Sequence, residues 1–78
     1  MVNKIRIGKS ELEVLKILYK INEYTTSKYI SERSKIPKNQ TAQILKNLKK
    51  KGLVKLRKRK WYLTKKGKKA FIDNFNIY

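Results

Sequence analysis

Seventy-eight residues hold 22 Lys or Arg against 5 Asp or Glu, giving a net charge of +17, and contain neither Cys nor His. This inventory excludes a disulfide framework, all but excludes a zinc site, and removes the side chains most used as nucleophiles and general bases. No apolar run reaches the roughly 20 residues of a membrane span or resembles a signal peptide, so one small cytoplasmic or nucleoid-associated domain is expected.

Residues 1–9 place Ile5 and Ile7 in alternation before Gly8 and read as a short N-terminal arm. Ser10 followed by Glu13 has capping-box spacing, which predicts a first helix from about Glu11 to Lys20. Its apolar members Leu12, Val14, Leu15, Ile17, Leu18, Tyr19 and Ile21 sweep about 220°, against the stripe of somewhat more than 100° that a helix on one core needs. Tyr24-Thr25-Thr26 has strand propensity. Thr26 or Ser27 then caps a second helix over about residues 27–34, with Tyr29 and Ile30 inward. Ile36-Pro37 ends it, because the residue before proline is pushed out of the α region. Pro37 suits the opening of a third helix, about residues 38–51, with Thr41, Ile44, Leu45 and Leu48 on one side.

Gly52 offers that helix a left-handed C-cap. Val54 and Leu56 then alternate against Trp61 and Leu63 around Arg57-Lys58-Arg59-Lys60. A hairpin over residues 53–64 pairs Val54 with Leu63 and Leu56 with Trp61 on one face, leaving Lys55 and Tyr62 on the other. The tip lacks the Asn-Gly pair that two-residue turns prefer, which predicts a looser, mobile tip. Thr64 caps a last helix, about residues 65–76, whose Phe71, Ile72, Phe75 and Tyr78 share one sector. The expected fold is α+β and mostly helical, one domain over residues 1–78: a three-helix core, a short β-hairpin wing and a C-terminal helix.

Helix, short strand, helix, turn, helix and basic hairpin in that order make the winged helix-turn-helix plan. Residues 30–67 resemble the core of MarR-type and related winged-helix regulators. The resemblance is strongest over IPKNQTAQILKNLKKKGLV (residues 36–54) and in Leu63-Thr64-Lys65-Lys66-Gly67, which is similar to the LTxxG returning such wings to a helix. It is closer still to the minimal winged-helix proteins of archaea and their viruses and plasmids. Two departures stand out: Lys35 takes the place of the usual turn glycine, and Pro37 that of the usual Ser or Thr cap. The resemblance implies a DNA-binding transcription regulator with its helix-turn-helix at residues 27–51.

The charge distribution agrees. Residues 1–45 carry nine basic and four acidic side chains (+5), residues 46–69 thirteen basic and none acidic (+13), and residues 70–78 one acid (−1). Charge concentrated this way needs a polyanionic partner or destabilises the compact chain through self-repulsion. The acids Glu11, Glu13, Glu23, Glu32 and Asp73 fall in no metal or acid–base spacing, so an enzyme, a cofactor and a small-molecule substrate are not expected.

Double-stranded DNA is the expected partner. On the outer side of helix three, Asn39, Gln40 and Gln43 carry amides able to pair with adenine, while Lys38, Lys46, Asn47 and Lys50 extend the same surface. Asn39 either caps the helix or reads a base. Ser27 and Lys28 are placed to meet a phosphate, and Arg57, Lys58, Arg59 and Lys60 to meet the backbone or a narrow minor groove. Trp61 is assigned to the core through its pairing with Leu56, and Tyr62 stays open between core and base stacking. An architectural DNA-binding protein with little sequence preference, or an RNA-binding or membrane-surface module, is the alternative use of the same basic face. The excess apolar surface at Leu12, Tyr19, Phe71, Phe75 and Tyr78 predicts a homodimer joined through the first and last helices.

Overall fold

The computed structural model describes residues 7–75, with Phe75 placed by its backbone. Its elements are α1 (Lys9–Ile21), α2 (Ser27–Ser34), α3 (Lys38–Lys50), β1 (Val54–Arg57), β2 (Lys60–Leu63) and α4 (Lys65–Phe75). Most of the N-terminal arm, the Phe75 side chain, Asn76 and Tyr78 lie outside what is described. No helix among the described residues is long and apolar enough to cross a membrane.

The first helix starts two residues earlier than the Ser10–Glu13 pair predicts. Gly8 is the N-cap, and its N–H donates to Glu11 Oε1 at 3.0 Å. Two acids, Glu11 and Glu13, compete for the position three residues past a cap, and the tertiary fold selects the first. Glu11 also meets Lys51 Nζ at 3.1 Å, tying the start of α1 to the end of α3, whereas Glu13 is exposed. The pair is partly solvated, so its value is geometric more than energetic.

The wide apolar arc of α1 is largely absorbed within the chain. This helix packs on α2, α3 and α4, burying Val14, Leu15 and Leu18 and half-burying Leu12 and Ile17 against the core. A helix packed on three others and on β2 needs a broader stripe than one lying on a single surface. The arc therefore does not require a second chain, and Tyr19 (40 % exposed) is its one large apolar member left outside. Phe71 is also accounted for within the chain: it is 6 % exposed, its ring centroid 4.9 Å from that of Tyr19. Ile7, Ile30, Ile44, Leu45, Leu48, Leu53, Val54, Trp61, Leu63 and Ala70 complete the core.

The turn between α2 and α3 is built from side chains replacing backbone partners. Lys35 takes a left-handed conformation (φ 61°), with its N–H on Ser31 O at 2.9 Å. A non-glycine residue there costs about 1–2 kcal/mol. The carbonyl of Ile36 compensates by accepting from Ser31 Oγ (2.6 Å) and from Thr41 Oγ1 (3.2 Å), and Thr41 is fully buried. Pro37 is the N-cap of α3 rather than its first turn residue, and its carbonyl accepts from Thr41 N–H at 2.9 Å. No side-chain cap bond forms there, so Asn39 is not the cap.

After α3 the chain makes a Schellman closure: Leu53 N–H reaches Leu48 O and Gly52 N–H reaches Lys49 O, both at 3.0 Å, with Gly52 at φ 78°. Leu48 and Leu53 are fully buried, so the hydrophobic contact that accompanies this motif is present as well. The closure aims the next residues into the hairpin, whose register is Val54↔Leu63, Lys55↔Tyr62, Leu56↔Trp61 and Arg57↔Lys60, as the alternation predicts. Thr25 adds a single bridge on the far side of β2, exchanging hydrogen bonds of 2.9 and 2.6 Å with Trp61.

The tip departs from expectation. Arg57 pairs with Lys60, so only Lys58 and Arg59 form the turn, with φ of 49° and 64°. Two consecutive left-handed residues are the signature of a type I′ turn, which matches the twist of the strands. Burial of Val54, Trp61 and Leu63 fixes the register, and the register leaves two residues to turn in, whatever their preference. Leu56, although paired with Trp61, is 42 % exposed because the outer half of the hairpin overhangs the body.

Candidate nucleic-acid interface

The burial of Thr41, Ile44, Leu45 and Leu48 determines which side of α3 faces outward. Lys38, Asn39, Gln40, Gln43, Lys46, Asn47, Lys49 and Lys50 are all exposed. Along the helix the surface begins with amides and ends with ammonium groups. Gln43 Nε2 donates to Asn47 Oδ1 at 3.3 Å, one turn on, which orients both amides along the exposed side. An amide pair held this way still offers the Gln43 oxygen and the Asn47 nitrogen outward, the complement of an adenine edge.

At the start of α2 the cap is Thr26, whose Oγ1 accepts from Tyr29 N–H at 3.2 Å. Ser27, half-buried, and Lys28, exposed, are thereby the first two residues of the helix, where unpaired amides and the positive end of the dipole suit a phosphate. Further along, Arg33 lies over the Tyr29 ring (5.2 Å to the centroid) and donates through Nε to its hydroxyl at 2.9 Å.

In the wing Lys55, Arg57, Lys58, Arg59 and Lys60 are all exposed. The type I′ turn projects Lys58 and Arg59 from a two-residue tip. Trp61 is 8 % exposed and belongs to the core, held by the Thr25 bridge as well as by its strand partner. Tyr62 stacks on Tyr24, with centroids 4.8 Å apart and planes 25° apart, while Lys55 Nζ sits over the Tyr62 ring at 5.3 Å.

Sequence reasoning passed over Tyr24, Lys55 and Gly67. The period-two alternation of β1 already placed Lys55 beside Tyr62, and the strand propensity around Thr25 placed Tyr24 near the sheet. What was missing was the pairing of that segment with β2, a long-range choice that no local pattern encodes. Gly67 was legible only as a motif letter; its structural reason is a close approach to Leu53. Of the apolar surface expected to join two chains, Leu12 is half-buried on the core, Phe71 is buried and Tyr19 is exposed. Ile72, 44 % exposed, adds to Tyr19 across an open groove of about 420 Å³ lined also by Lys16, Lys20 and Phe71.

The fold is shared with ZitR of Lactococcus lactis. Wild-type ZitR superposes with a TM-score of 0.78 at 22 % identity, over 97 % of this chain and 55 % of that one. A crystal structure of ZitR described as a zinc-responsive MarR family member gives 0.77 at 22 % identity, over 95 % and 55 %. The present chain thus spans about half the length of these structures. No curated protein matches in sequence. The family of sugar-specific transcriptional regulators, TrmB, matches over residues 2–71. With nearly the whole chain inside that match and the helix-turn-helix and wing in place, the chain belongs to the TrmB family of transcriptional regulators and folds as a winged helix-turn-helix.

Proposed function

We propose that the chain binds duplex DNA sequence-specifically, with α3 in the major groove and the basic wing at residues 57–60 on the backbone or in the adjacent minor groove. The carrying observation is the division of α3: an apolar side fully committed to the core, and an opposite side with amides in its first half and lysines in its second. The N-terminal half of such a helix is the part that meets base edges, and the lysines and wing then lie along the phosphates. Zinc response is named for ZitR. This chain has no Cys or His, and no three acidic side chains converge among its described residues, so a shared way of meeting DNA is what the common fold supports.

Gln43→Ala tests this reading. It is expected to lose about 1–3 kcal/mol on a cognate site found by footprinting the protein's own promoter region, and much less on random DNA. Equal losses on both would replace the sequence-specific reading with an architectural one, in which charge alone holds the duplex.

The proposed assembly is a two-fold homodimer. Exposed Tyr19 and Ile72 support it, because they leave apolar surface between α1 and α4 after the core is filled. Two recognition helices set about 34–36 Å apart would match one duplex turn and a pseudo-palindromic site. Equilibrium sedimentation at about 10 µM, where a 1 µM dimer is mostly associated, is expected to give twice the 9.3 kDa chain mass. A mass of one chain, unchanged by Tyr19→Ala, would make the protein a monomeric binder.

A further inference from the structure

The outer half of the wing overhangs the body. Val54, Trp61 and Leu63 anchor its base in the core, but Leu56 and residues 57–60 are exposed. A two-stranded hairpin is marginally stable by itself, so something must set the direction in which this one projects. The single Thr25–Trp61 bridge ties β2 to the chain just ahead of α2. On the sheet's outer side, Tyr24, Tyr62 and Lys55 come from three adjacent segments and stack in that order: ring on ring at 4.8 Å, then ammonium over ring at 5.3 Å. Tyr24 lies two residues before Thr26, the cap of α2. The stack therefore links the wing to the entrance of the helix-turn-helix.

We infer that the Tyr24–Tyr62–Lys55 stack is a positioning device that locks the wing's direction to the helix-turn-helix, so that the wing cations and α3 meet DNA as one rigid unit. This rests on the DNA-binding reading above and adds to it three residues that act by orienting the wing. The same geometry answers the open assignment of Tyr62. Tyr24 stacks on its ring and the Lys55 ammonium sits over it, so the ring is engaged within the wing rather than offered to a base. Arg57, Lys58 and Lys60 border Tyr24 in a groove beside the stack, so a shift of the rings shifts the charges.

The test uses variants that leave the charge at +17. Removing an uncharged ring can alter the salt dependence of binding only by moving cations away from phosphates, whereas a loss of fold stability alone would not. Tyr62→Ala is expected to weaken binding roughly two- to twelve-fold, the span a stacked aromatic pair supports. It should also flatten the log–log salt slope by about one to two units, at about 0.9 per phosphate contact. Tyr62→Phe keeps the ring and is expected to restore both values. Tyr24→Ala should reproduce the effect, and the double variant should be no worse than either single one, as partners in one interaction require. Arg59→Ala is the reference for the wing itself. If it flattens the slope while Tyr62→Ala and Tyr24→Ala do not, the positioning role is overturned and the wing contact stands. If Arg59→Ala changes neither slope nor affinity, the wing does not meet DNA and both readings fall. Should both tyrosine variants fail to fold, the stack is part of the folding core and the positioning role is overturned.

Discussion

Gly67→Ala is expected to destabilise the domain by roughly 3 kcal/mol or more, the upper end of what overpacking produces. Helix propensity predicts the opposite, since glycine inside a helix is about 1 kcal/mol worse than alanine. The difference lies in what the hydrogen of Gly67 faces. A Cβ built there would overlap the carbonyl oxygen of Leu53 and come within 2.7 Å of Leu63 Cδ1. The carbonyl cannot retreat. It accepts Thr64 N–H at 3.0 Å and is contacted by Thr64 Oγ1 at 3.0 Å, while Thr64 Oγ1 also donates to Gly52 O and accepts from Gly67 N–H. Thr64 thus fastens the end of α3, the start of β1 and the first turn of α4 around one hydroxyl. A domain of this size holds only about 3–5 kcal/mol from its core. Far-UV circular dichroism during urea unfolding should therefore show Gly67→Ala largely unfolded near neutral pH at room temperature. A melting midpoint equal to or above that of the parent would mean that α4 can step away from Leu53 without loss.

The same junction shows where sequence and structure part. Helix positions were legible because each has a local cause: Pro37 opens α3, Gly52 closes it, and the spacing of Ile44, Leu45 and Leu48 tells its inner side from its outer one. Hairpin register was legible for the same reason, since period-two alternation allows only one pairing that buries Val54, Trp61 and Leu63 together. The type I′ tip was not, because local preference argued against it and the preference lost to a register set by the core. Two left-handed residues at Lys58 and Arg59, each costing about 1–2 kcal/mol, are sustained by that packing. The N-terminal cap failed differently. Ser10 and Glu13 carried the local signal, and it lost to Gly8 and Glu11, whose carboxylate also meets Lys51, 40 residues away.

The candidate interface divides along the same line. Its composition could be read directly, because thirteen cations without an acid in residues 46–69 need no structure to be noticed. The contacts that orient its wing could not, since the Thr25 bridge and the Tyr24–Tyr62 stack join segments nearly 40 residues apart. One warrant for the dimer expectation shows the converse. It counted the apolar arc of α1 against one neighbour, whereas the fold packs that helix on three others and on β2, which leaves Tyr19 and Ile72 as the exposed apolar surface that still supports a second chain.

Salt is expected to act on this protein with opposite signs in its free and bound forms. A net charge of +17 on 78 residues repels itself, so raising ionic strength should raise the melting temperature of the free protein. Binding should weaken over the same range, because cations on phosphates release condensed counterions. Lys28, Lys46, Lys50 and the wing cations Arg57–Lys60 are exposed and available for about five phosphate contacts per subunit. At about 0.9 per contact, a dimer should then show a log–log slope near −9, and a monomer about half of that. Between 50 and 200 mM salt the dimer slope corresponds to a loss of roughly 10⁵ in affinity, far larger than any single side chain supplies. Fluorescence anisotropy on one labelled duplex across that range measures the slope, and a melt of the free protein in the same buffers measures the opposing trend. A slope shallower than about −3 would mean that most of the basic block faces away from the duplex. The charge would then belong to some other polyanion, while the amide side of α3 met DNA nearly alone.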